Sequence, residues 1–231
     1  MSARNTSISF AWWQRVDELL RGRLRGGESP AASVWRLVGC VIVFGVTYGA
    51  VMGTFTGLSS DHQMQLLYSA SKVPLLLLVS FALSVPSFFV LNALFGVGDD
   101  FPAAMRALAA TQAGLTVILA ALAPFTAVWY LSSADYSAAV TFNGLMFLVA
   151  SASAQILLRR FYGPLIRRNP RHRLLLAGWL VVYAFVAIQM AWVLRPFIGD
   201  PDQPPQFLRP DVFSENAYQV VARLVWQMLF L

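Results

Sequence analysis

The chain has 231 residues, 58% of them hydrophobic and only 12% charged, with a mean hydropathy of +0.61. A soluble domain carries about 25% charged residues, so this chain has too few charges to clothe a globular surface in water. The net charge is +6, but the arginines that supply it flank apolar runs. That placement argues against nucleic acid and for a lipid bilayer with anionic headgroups.

The first element is amphipathic rather than spanning. Residues 9–24 place Trp12, Val16, Leu19 and Leu20 on one face, with Arg15, Asp17, Glu18 and Arg21 largely elsewhere, the pattern of an interfacial helix. Gly26, Gly27 and Pro30 then break it. The first 30 residues have no uninterrupted apolar core, so no cleavable leader is expected.

Five stretches follow that are long and apolar enough to span: 37–55, 73–95, 107–131, 137–158 and 174–194. A crossing needs roughly 17–25 residues, and these contain no Asp, Glu, Lys or Arg. In hydrocarbon every backbone polar group must find an internal partner, so each is a helix. Pro86 and Pro124 lie inside the second and third spans and are expected to kink them, whereas Pro74 falls near a helix start. After the fifth span, residues 195–213 hold Pro196, Pro201, Pro204, Pro205 and Pro210, a density that favours a stiff, extended path. A last amphipathic helix is expected after Ser214. The fold class is therefore all-α, a polytopic transmembrane helical bundle of about five spans with amphipathic helices at both ends. Its parts are an N-terminal segment at 1–33, the bundle at 34–194, and the connector with its helix at 195–231.

Counting Lys and Arg between spans orients the chain. The N-terminal segment has six, the loop around Arg159 to Arg173 six, and the second loop Arg106. The opposite side has Lys72 and the three arginines of the tail. Cytoplasmic loops collect the positive charge, which predicts a cytoplasmic N-terminus, an outward C-terminus and a bacterial inner membrane location. A sixth span would reverse the C-terminus.

Gly45, Gly49 and Gly53 recur every four residues in the first span and make one smooth face. Small residues let helix backbones approach closely, either within the monomer or between copies. Ala110 with Gly114, and Ala187 with Ala191, are weaker versions. Asn92, Gln112, Asn143, Gln155 and Gln189 are amides within spans, each expected to hydrogen-bond a neighbouring helix or, alternatively, to line a polar path. Arg195 and Arg209 each precede a proline, which restrains their backbone. They are the candidate partner- or ligand-binding residues, able to grip phosphate or carboxylate, or to pair with Asp200, Asp202 and Asp211. Cys40 reads as a packing residue. His62 and His172 fall on opposite sides of the membrane, and no metal-ligand spacing, nucleotide loop or nucleophile motif is present. No catalytic residue, metal or cofactor is expected.

The run Gln189-Met190-Ala191-Trp192-Val193-Leu194-Arg195-Pro196-Phe197-Ile198-Gly199, with Phe207-Leu208-Arg209-Pro210, resembles a widespread family of uncharacterised bacterial integral membrane proteins, from about Val73 onward. Asp200 departs from that pattern, where a small polar residue is more usual. Tyr48-Gly49-Ala50-Val51-Met52-Gly53 is similar to the opening span of Yip1-like membrane proteins, which implies a membrane-organising or adaptor role. The expected function is a non-enzymatic scaffold or accessory subunit that engages lipids, a second copy or other membrane proteins. A small-solute channel or transporter comes next, and a lipid-acting membrane enzyme third.

Overall fold

The computed structural model describes residues 14, 16–21, 30–57, 63–200, 203–209 and 217–219. Its helices are α1 (Pro30–Gly53), α2 (Gln63–Leu94), α3 (Phe101–Ser132), α4 (Tyr136–Arg168) and α5 (His172–Leu194). All five are long and apolar enough to cross a membrane, and the chain is a multi-pass helical membrane protein. A 3-10 turn, Gly98–Asp100, leads into α3, with Pro102 in its first turn. Asp135 caps α4 by accepting from the backbone N–H groups of Ser137 and Ala138.

Two helices outrun their expected spans. α2 begins at Gln63, ten residues before Val73, so Pro74 is not at a helix start but inside the helix. Lys72 likewise belongs to no loop. α4 continues past Leu158 through Pro164 to Arg168. Hydrophobicity marks where hydrocarbon ends, but the helix continues as long as its hydrogen-bond ladder does.

The helices form an open row in the order α5, α2, α1, α3, α4. The glycine face explains the α1–α2 contact. A Cβ on Gly49 would meet the Ser69 carbonyl oxygen and lie 2.9 Å from Ala70 Cα; on Gly53 it would lie 2.6 Å from Leu66 Cα. This face is filled within the monomer, which removes it as an interface between copies. Ala104, Ala110 and Ala113 of α3 are fully buried, and Gly114 takes Leu157 of α4 against its backbone. α5 is held by an aromatic joint to α2: the Trp179 ring lies 5.2 Å from Phe81 and 5.1 Å from Phe88. α4 and α5 follow each other in sequence but hardly touch.

Hydroxyls along the spans mostly bond back to their own helix, as Ser84 does to the Ser80 carbonyl and Thr111 to that of Ala107, which costs no interhelical partner. Of the N-terminal amphipathic segment, 16–20 is helical, with Val16 and Leu19 buried in the bundle's core and Arg21 paired to Asp17 at 2.7 Å. Trp12 lies outside the described residues, as does Ser214. Helix is present at 217–219.

Candidate functional site

The end of the bundle beyond α5 is built around Lys72. Gln65, Ser69 and Lys72 fall on one face of α2, and all three are buried. The Lys72 ammonium donates to the carbonyl of Pro196 at 2.5 Å and to that of Gln206 at 3.3 Å, and lies 5.2 Å from the Phe207 ring centroid. Ser69 donates its hydroxyl to the Phe197 carbonyl, and Tyr68 packs edge-on against Phe207. Ile198 is buried, and Gly199 sits so close to α2 that a Cβ would lie 2.6 Å from Gln65 Cγ. The connector is thus folded back on the bundle, its carbonyls satisfied by side chains of α2. The Arg195–Pro196 peptide is cis.

Both expected arginines converge here. Arg195 stacks its guanidinium on Trp192 at 3.2 Å. Arg195 and Arg209 line one cavity of about 440 Å3 at the mouth between α4 and α5. Its walls are apolar: Met52, Leu76, Val140, Phe147, Ala191 and Ile198. Its polar groups are Tyr136, which lies beside Arg209, and Asn143. A second cavity of about 460 Å3 adjoins it, sharing Pro196 and Arg209, with Gln65, Asp200, Gln203 and Gln206 on its walls. Asp202 and Asp211 lie outside the described residues.

The intramembrane amides divide. Asn143 is an interhelical hub: it accepts from the Tyr48 hydroxyl of α1 at 3.0 Å and donates to the Tyr130 oxygen of α3 at 2.7 Å. Gln112 is buried with its Oε1 left without a partner, and Gln189 accepts from the backbone N–H of Ala217 at 3.2 Å. Asn92 is buried but donates to Phe88 of its own helix. Gln155 is exposed, covered by no helix among the described residues. It lies one turn before Arg159, close enough to the end of the apolar stretch for its amide to meet headgroups and water.

At the opposite end, His172 is fully buried at the start of α5, with Nε2 3.1 Å from an Asp100 oxygen and Nδ1 3.3 Å from the Tyr162 hydroxyl. A carboxylate only accepts, so Nε2 donates to Asp100. Arg168 also reaches Asp100 at 3.4 Å, and Arg171 donates to the Phe95 carbonyl at 3.1 Å. This cluster staples the α2–α3 turn to the α4–α5 turn.

No family model, no curated protein and no solved structure matches the chain.

Sequence reasoning singled out the two arginines that the fold brings to one cavity but did not reach Lys72, Tyr136 or the His172 staple. The Gln65, Ser69, Lys72 spacing of four and three residues was a legible polar stripe on a helix. Nothing in the local sequence tied Tyr136 to Arg209, or Asp100 to His172, because those contacts join distant segments.

Proposed function

We propose that the chain is a non-enzymatic accessory or scaffold protein of a bacterial inner membrane, with its N-terminus in the cytoplasm and its connector outside. The observation that carries this is the Lys72 clamp. It turns a proline-rich connector into a fixed surface at the bundle's end, on which Gln203, Phe207 and Leu208 are exposed. A fixed, partly apolar patch flanked by arginines suits a neighbouring membrane protein, a second copy or lipid headgroups. Of the amides that could have lined a solute path, Asn143 is spent on Tyr48, Tyr130 and its own helix.

The resemblance to a bacterial integral membrane family falls on the same residues. Its Trp192 to Gly199 run is the segment that builds the clamp: Trp192 supports Arg195, Pro196 and Phe197 offer the carbonyls, and Gly199 permits the close approach to α2.

The test is photocrosslinking in native membranes from probes at Gln203 and Leu208. Adducts with a specific membrane protein or with lipid are expected. No adduct at either position, together with solute flux through liposomes holding the purified chain, would replace this reading with the transporter one.

A further inference from the structure

The cavity that carries Arg195 and Arg209 has two unlike halves, and this division defines a ligand. We propose that it holds one chain of an anionic phospholipid, with the phosphate gripped by Arg209 and Arg195. The proposal rests on the reading above, that the connector face engages lipid or partner proteins, and it names the lipid.

The route in is lateral. α4 and α5 hardly pack together, and Val140 and Gly144, which line the cavity, are exposed. A hydrocarbon chain can therefore slide in from the bilayer without crossing water. Its walls of Met52, Leu76, Phe147 and Ala191 offer a chain nothing to hydrogen-bond and much to touch. A volume of about 440 Å3 falls within the roughly 300–1,000 Å3 of small-ligand sites.

The polar end fixes the headgroup. Arg195 is preset by its stack on Trp192, and Arg209 lies on the wall shared with the second cavity. A guanidinium presents a planar fork that matches two phosphate oxygens. Beyond it, Gln65, Gln203, Gln206 and Asp200 face the second cavity, where headgroup hydroxyls find donors and acceptors. Two guanidiniums, with the Lys72 ammonium beside them, outnumber the one carboxylate among the described lining residues, which favours an anionic lipid over a zwitterion. A free phosphate would satisfy the arginines but leave the apolar half unused.

The experiment titrates the delipidated full chain in detergent with phosphatidylglycerol and counts bound lipid by native mass spectrometry. One retained lipid per chain is expected, held in preference to phosphatidylcholine and not displaced by glycerol 3-phosphate. Arg209→Gln removes charge-assisted bonds and is expected to weaken binding by at least about tenfold. Gly144→Phe adds a ring where a Cβ meets nothing within 4 Å, and is expected to block entry while helical content holds. Equal binding of phosphatidylcholine, displacement by glycerol 3-phosphate, or unchanged affinity in both variants would each overturn the proposal. Should the variants not fold, phosphatidylglycerol with a photoreactive acyl chain is applied to the unaltered protein. Adducts at 140–147 are expected; equal labelling of exposed Leu83, Phe89 and Val90 on α2 would refute the site. Its failure would leave partner adducts from Gln203 and Leu208 untouched, so the two readings are separable.

Discussion

A single methyl group at Gly49 is the sharpest probe of how the bundle closes. In Gly49→Ala the new Cβ lies 2.9 Å from Ala70 Cα and still nearer the Ser69 carbonyl oxygen. Carbon atoms rest at about 3.5–4.0 Å, so α1 and α2 must separate by roughly half an ångström to one ångström. Both obstructing groups are backbone, and no rotamer change relieves them. Overpacking of this kind costs about 1–3 kcal/mol. Gly39→Ala is the internal control: it lies on the same helix, with nothing within 4 Å of its added Cβ. Alanine is the better helix former by about 0.8–1.0 kcal/mol, so this variant is expected to be neutral or slightly more stable. Gly45→Ala falls between them, since its nearest neighbour is the Pro74 ring at 3.2 Å. The assay is reversible unfolding in mixed micelles on titration with a denaturing detergent, followed by circular dichroism. Equal stability of the Gly49 and Gly39 variants would refute the α1–α2 contact.

Three further outcomes are expected. With Cys40 replaced by Ala, a cysteine at Gln203 should react with an impermeant thiol reagent in intact cells, and one at Arg167 should not; the reverse pattern would invert the orientation. Lys72→Met keeps the bulk of the side chain but strands the Pro196 and Gln206 carbonyls, at about 1–3 kcal/mol for each group left without a partner. Faster proteolysis within 196–208 while the bundle stays helical is expected, and unchanged protection would show that the clamp is dispensable. Arg195→Lys with Arg209→Lys keeps the charge and loses the planar fork. A complementation assay should show lost function at normal membrane levels, whereas lysine at Arg167 and Arg168 should be tolerated.

The helices were legible because lipid leaves the backbone no other choice, and a run such as 174–194 announces itself by length and apolarity alone. The glycine face was legible as a close contact, but its partner was not, since spacing reveals a groove and not what enters it. The geometry at Ser69 and Ala70 decides for α2 of the same chain. Lys72 was misread because one charge beside an apolar run looks like a boundary. It is instead buried as a donor to the connector, and only the fold brings Pro196 and Gln206 to it from more than a hundred residues away. Gln155 failed for the opposite reason: an amide near the end of a span can face outward, and sequence gives its depth only to within a turn.

The open mouth between α4 and α5 follows from how each helix is recruited. The turn joining them, Asn169 to Arg171, is too short to let their near ends part, and Asp100, Tyr162 and His172 fasten that end. Farther along, each helix is claimed by a different neighbour. Small residues draw α4 to α3, with Ala150 and Ala154 buried and Leu157 set on Gly114. Aromatic rings draw α5 to α2, with Trp179 between Phe81 and Phe88. Two helices fixed at one end and pulled to opposite ends of a five-helix row must diverge toward the other. The connector leaves α5 at that wide end and is pulled inward by Lys72 and Ser69, which sets Arg195 and Arg209 on the rim of the gap without filling it. The cleft and its charge therefore have one cause, the pairing of α5 with α2, and loosening the Trp179 joint should disturb both together.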